Sequence, residues 1–188
     1  ECDDLDGWLK PEAVEYDGLL VKRPFNGAFE SYSTDVDDVS WVSLVQEASG
    51  TSKRQFSLAV DKLLADAQLP KLLSAQIKED ACALGDTWRV MCPELEQFDL
   101  KLEIMGENTC ARWHRDQFVG RAIVTYTGKN GTDYTSRDNV NFKELLSCGN
   151  SECCIYDMSE TRQVAVGDFL LIKGTKYPKV ANALVHKS

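Results

Sequence analysis

The hydrophobic period of this chain changes once, near Pro93, and that change limits the folds open to it. Before it, Phe56, Leu58, Ala59, Leu63, Leu64 and Ala67 recur at helical spacing over residues 53–67. A second amphipathic segment follows Pro70 through Leu72, Leu73, Ile77, Ala81 and Leu84 and is expected to stop at Gly85. After Pro93, Phe98, Leu100, Leu102 and Ile104 alternate with Asp99, Lys101 and Glu103, the period of a half-buried strand. Helices first and strands second define an α+β chain, since alternating βαβ units would interleave the two periods.

At 188 residues a single domain is the default expectation. Residues 1–30 read as an irregular arm broken by Pro11 and Pro24, with one short strand at residues 19–21. Residues 35–95 form a helical layer that opens with a short helix over residues 39–48, capped by Thr34 or Asp35 and ended by Gly50. Residues 96–188 form a β-rich core, with further strands at residues 121–126 and 167–173 and a hairpin turn at Asn130-Gly131. Antiparallel strands around a pocket give a barrel or jelly-roll, with the helical layer packed on it.

Thirty acidic against 21 basic residues leave a net charge of −9, which repels nucleic-acid phosphates and anionic lipid. Acidic residues gather at Glu1 to Asp6 and Asp35 to Asp38, read as solvated segments. No apolar run nears the ~20 residues of a membrane helix, so no membrane partner is expected. The chain opens on Glu rather than Met or a signal segment, which reads as a processed or trimmed start and leaves compartment open. Oligomeric state has no signature.

Seven cysteines are an odd set, and free thiols are the simplest reading. Cys148, Cys153 and Cys154 cluster in a polar stretch, read as an ordinary loop or a disulfide ahead of a zinc knuckle, which three sulfurs fill poorly.

The chemistry concentrates on the only two histidines. His114 and Asp116 are one residue apart, so an extended backbone puts both side chains on one face. His186 follows a strand-like stretch and a Gly-Thr-Lys-Tyr-Pro turn. Two imidazoles and one carboxylate make a facial set that leaves coordination positions open and suits one divalent ion, Fe(II) or Zn. Cys110 reads either as a soft fourth ligand favouring Zn or as a small buried residue.

Resemblance adds to this. Cys110-Ala-Arg-Trp-His-Arg-Asp116, then Arg121, Thr125-Tyr126-Thr-Gly and Gly131-Thr132, with Gly167-Asp168, Lys173-Gly174 and Val185-His186-Lys187-Ser188, resemble the family called domain of unknown function 1826. The likeness is clear over residues 98–188 and faint before. The His-x-Asp pair with a late His is also similar to cupin-like and 2-oxoglutarate oxygenase folds. That likeness implies a double-stranded β-helix core, a metal on His114, Asp116 and His186, a small-molecule substrate and 2-oxoglutarate as cosubstrate. Trp113 and Arg115 stand where Phe and an apolar residue are expected, a departure in the outer pocket.

Such oxygenases grip the cosubstrate's distal carboxylate with an Arg, commonly one that follows the last His. Here Arg121 is the candidate, as a catalytic and cosubstrate-binding group, with Tyr126 as a catalytic hydroxyl and Thr125 as a cosubstrate contact. The alternative is structural: Arg121 in an ion pair and Tyr126 in the core.

Two functions are therefore carried. One is a non-haem Fe(II) oxygenase-like enzyme, dependent on 2-oxoglutarate or not. The other is a zinc-binding protein, either a hydrolase or hydratase or a non-catalytic zinc-homeostasis factor. An interaction module with a structural triad is a third. No Gly-x-Ser-x-Gly elbow, phosphate loop or dinucleotide fingerprint occurs.

Overall fold

The computed structural model describes residues 1–24, 44–49 (backbone only), 52–95, 97–103, 112–128, 130–179 and 182–187. The chain divides into two compact units, Ala28–Met105 and the pair of segments Glu1–Gly27 and Gly106–Ser188.

In the first unit, α1 (Lys53–Ala67) starts where Ser52 Oγ accepts the Gln55 N–H at 3.3 Å, and it buries Phe56, Val60, Leu63 and Leu64. Gln68 turns left-handed at φ +52° to stop it. α2 (Lys71–Met91) buries Leu73, Ile77, Ala81, Leu84 and Trp88 and runs past Gly85, the expected stop. Gly85 is internal because a Cβ there would meet the Phe56 ring at 3.0 Å, so the missing side chain lets the helices close together. β2 (Leu44–Ser49) and β3 (Gln97–Leu102) pair antiparallel through six registered residues. The expected helix over residues 39–48 is thus corrected to strand from Leu44, its earlier part lying outside the described residues. The ladder with β3 outweighs a local apolar spacing that fits a helix as well. Phe98 of β3 meets Phe56 edge-on with centroids 6.0 Å apart.

In the second unit, 3-10 turns at Leu5–Leu9 and Pro11–Glu15 lead into β1 (Gly18–Val21). The central strand of its first sheet is β7 (Phe169–Lys173), buried along its whole length between β1 and β4 (Gly120–Val124). The second sheet sets β5 (Asp133–Thr135) between β6 (Arg162–Gln163) and β8 (Val185–Lys187). Leu20, Leu170, Ile172 and Ile123 from the first sheet pack with Tyr134 of the second and with Val164 and Leu184, which adjoin it. Each such buried aliphatic side chain contributes roughly 1.5–3 kcal/mol. Asn130-Gly131 does not close a hairpin between β4 and β5, because those strands lie in different sheets and the chain crosses between them.

A second cluster joins Trp113 and Val185 to Val140, Leu145, Cys154 and Ile155. Its outer wall is α3 (Phe142–Ser147) and α4 (Ser151–Cys154), linked by a Cys148–Cys153 disulfide; the sequence had left a loop or a disulfide open. Among the described residues Cys2, Cys82 and Cys154 are thiols outside any disulfide. The fold is mixed α and β, with small antiparallel sheets, none of which closes into a barrel among the described residues.

Candidate metal centre

His114 and His186 face each other across an antiparallel bridge, each donating its backbone N–H to the other's carbonyl at 3.0 Å. Directly opposed residues share a sheet face, so the two imidazoles lie side by side, ring centroids 4.4 Å apart. Asp116, two residues past His114 on the same face, brings Oδ1 to 3.9 Å from His114 Nε2 and Oδ2 to 3.8 Å from His186 Nε2. One ligand atom from each of the three lies within 4.8 Å of the others.

Ring orientation is set by a repeated device. His114 Nδ1 lies 2.9 Å from the Arg112 carbonyl, and His186 Nδ1 lies 3.2 Å from the Leu184 carbonyl, each two residues back in sequence. A carbonyl only accepts, so each Nδ1 carries the proton and each Nε2 presents its lone pair toward Asp116. Burial pushes His186 down to about 4, the neighbouring His114 adding to the effect, so this imidazole is neutral near pH 7 as a ligand must be.

The residues fit a metal ion. His186 is fully buried and its Nε2 has no hydrogen-bond partner, which costs roughly 1–3 kcal/mol unless something else binds there, and Asp116 Oδ2 accepts no hydrogen bond either, its charge met only by an ion pair with Arg121. Bonds of about 2.0–2.2 Å to all three would draw the ligand atoms together by about half an ångström to one and a half ångströms, a closure that side-chain rotations can supply. The donor set, two neutral nitrogens and a carboxylate, suits Fe(II), Zn, Mn or Co.

Arg121, second residue of β4, reaches across from the first sheet and sets Nε 3.1 Å from Asp116 Oδ2. The contact is an ion pair that misses hydrogen-bond alignment, so Oδ2 retains its lone pairs. Its guanidinium also lies over the exposed Phe118 ring at 5.2 Å. The side chains of Arg121 and His114 are 40% and 33% exposed against 4% for Asp116, so the open side of the cluster is theirs. The structure thus joins His114, Asp116, His186 and Arg121. Thr125 and Tyr126 follow the end of β4, four and five residues on from Arg121, or about 13–16 Å along an extended chain. Cys110 lies outside the described residues.

Asp116 is held by a feature that motif reading passed over. The turn after β7 grips its segment through Gly174 N–H to Val119 O at 2.9 Å, Thr175 N–H to Asp116 O at 2.9 Å and Lys176 N–H to Phe118 O at 3.2 Å. Just before it, buried Lys173 donates to the carbonyls of Ala13 and Val14, with Trp8 and Tyr177 each 5.0 Å from its ammonium. The Lys173-Gly174 pair in the sequence was the available signal.

Fold and site together define an α+β protein with a partly buried two-imidazole, one-carboxylate cluster. The family model described as protein of unknown function (DUF1826) matches residues 2–188, and the chain belongs to that family. No curated protein and no solved structure matches it. No described helix is long and apolar enough to cross a membrane.

Proposed function

We propose that this chain binds one divalent metal ion through His114, Asp116 and His186 and acts on a small molecule as a non-haem Fe(II) oxygenase-like enzyme. The observation that carries the metal reading is the buried His186 Nε2, with no hydrogen-bond partner and 3.8 Å from Asp116. Three ligands on one side leave the other side open, and bound Fe(II) would supply redox chemistry there. Arg121 pairs with the Asp116 carboxylate at 3.1 Å and offers its exposed edge to an acidic group, 2-oxoglutarate being the cosubstrate proposed. The face bounded by His114 and Arg121 admits the substrate. Thr125 and Tyr126 are proposed hydroxyl contacts of the cosubstrate and substrate, and a double-stranded β-helix is the proposed parent of the two-sheet arrangement. Anaerobic Fe(II) titration followed by a 2-oxoglutarate turnover assay tests this reading. One equivalent bound, with succinate formed, supports it; an oxygen-stable, succinate-free protein refutes the oxygenase part.

One observation favours a zinc protein as the second reading. Arg121 Nε stands against the metal ligand Asp116 itself, at 3.1 Å. 2-Oxoglutarate chelates through one end and carries its distal carboxylate several ångströms away, so a cation this close to the ligand shell pairs with Asp116 instead. Zn would then supply Lewis acidity to a hydrolase or hydratase, or be the cargo of a zinc-homeostasis factor. Elemental analysis of protein purified without added metal separates the two: stoichiometric zinc favours this reading, and iron the first.

A further inference from the structure

The short ring closed by Cys148–Cys153 contains both hydrogen-bond acceptors of Trp113. The Gly149 carbonyl takes the Trp113 backbone N–H at 2.9 Å, and Ser151 Oγ takes its indole Nε1–H at 2.9 Å. Trp113 is 2% exposed and immediately precedes His114. Its packing partners include Val185, the residue before His186, so the neighbours of both imidazoles rest on one cluster. Beyond its buried side chains, the wall of that cluster is tied by a few backbone bonds, Asn141 N–H to Cys154 O at 2.8 Å and Gly149 N–H to Glu144 O at 3.1 Å among them. α4 has four residues and α3 six, each far below the length at which a helix sustains itself. The covalent link closes the ring that carries both Gly149 and Ser151 and so adds to these bonds in fixing the two acceptors.

We propose that the Cys148–Cys153 bond is a redox-sensitive brace of the metal centre: closed, it seats Trp113 and thereby His114; opened to two thiols, it loosens the metal. This rests on the metal reading above. Both sulfurs belong to partly exposed residues, so a reductant reaches them, whereas the adjacent Cys154 is buried. Burial pushes the Cys154 thiol up, and its Sγ donates to Asn150 O at 2.8 Å, which keeps it from competing as an attacking thiolate. A dithiol opens the bond by exchange: it gives up two electrons and two protons, the Sγ–Sγ bond becomes two S–H groups, and the dithiol leaves as its own disulfide. A phosphine achieves the same with one water, the oxygen leaving on the phosphine and the two hydrogens on the thiols.

The test uses the full chain in three forms: oxidised, phosphine-reduced and Cys148→Ser/Cys153→Ser. Mn(II), a poor partner for thiols, is the probe, its free fraction read by electron paramagnetic resonance. Hydrogen exchange of the Trp113 amide is read on the metal-free forms. Opening the bond should weaken Mn(II) binding by about ten- to a hundredfold, the range for loss of an outer-shell support, and strip protection from the Trp113 amide. The double variant should match the reduced chain and ignore phosphine; if it fails to fold, the reduced wild-type chain decides alone. Mn(II) binding and Trp113 protection indifferent to the bond would overturn this proposal only. No Mn(II) binding by the oxidised chain would remove the metal reading itself and this proposal with it.

Discussion

Replacing Gly174 by Ala should disable the metal centre from a position that touches no ligand atom. A Cβ built there would lie 2.0 Å from the Phe118 carbonyl oxygen, 2.8 Å from its carbon and 3.1 Å from the Asp116 oxygen. Non-bonded carbon and oxygen tolerate little below about 3.3 Å, so the 116–118 backbone must retreat by about 1 Å or more. These are backbone atoms, with no rotamer to absorb the overlap. The retreat breaks or stretches the three hydrogen bonds that join the turn to residues 116–119, each worth about 1 kcal/mol net, so a stability loss of about 2–4 kcal/mol is expected. It also carries Asp116 off the shared point. A displacement of that size is comparable to the closure the ligands must make around an ion, so metal affinity should fall by about a hundredfold or more. Gly128→Ala is the control. It sits at φ +105° with nothing within 4 Å of a Cβ, so it should cost about 1 kcal/mol of backbone strain and leave metal affinity intact. Urea unfolding with calorimetric Zn(II) titration reads both quantities. If Gly174→Ala keeps wild-type affinity and loses under 0.5 kcal/mol, the close approach is not what holds Asp116.

Metal-free protein should lose stability as pH falls from about 6.5 to about 4. His186 is pushed down to about 4 in the folded chain, so over that window the unfolded chain takes a proton that the folded one refuses. That amounts to up to about 3 kcal/mol, checked by urea midpoints across pH, with His186→Gln flattening the slope. Asp116→Asn keeps the shape but removes the charge, so it should raise the Zn(II) Kd by more than about a hundredfold while the fold survives; circular dichroism beside the titration checks both. Lys173→Met leaves the Val14 carbonyl without its lysine donor and the Ala13 carbonyl with only the Tyr16 N–H at 3.3 Å, and should cost about 1–3 kcal/mol in denaturant unfolding, while an isostable variant would mean that the lysine carries no weight.

What the sequence disclosed and what it hid follow from the range of the interactions involved. α1 was legible because its apolar stripe is local, and β3 because its alternation survives in six residues. Residues 44–48 were misread because their pairing partner lies past two helices in the chain, and only that ladder decides between two periods the segment could serve. The stop assigned to Gly85 failed for a similar reason, since what that glycine answers to is the Phe56 ring of another helix.

The centre itself was legible through His114-x-Asp116, because one-residue spacing on extended backbone fixes a shared face. Its third member, His186, was read from its place after a strand-like stretch and from the resemblance to a His-x-Asp pair with a late His. Invisible to any motif were the carbonyls of Arg112 and Leu184 that set the tautomers, the grip of the Gly174 turn on residues 116–119, for which the sequence showed the turn but not its partner, and which two of three clustered cysteines pair. Each depends on backbone paths that meet only in three dimensions.

Two histidines in the whole chain make imidazole 15N resonance the most direct examination of the centre. On titration of the metal-free protein with diamagnetic Zn(II), the Nε2 signals of His114 and His186 should shift together, saturate at one equivalent and leave both Nδ1 atoms protonated. Movement of a single histidine, coordination through Nδ1, or spectra unchanged by a full equivalent would contradict the shared site.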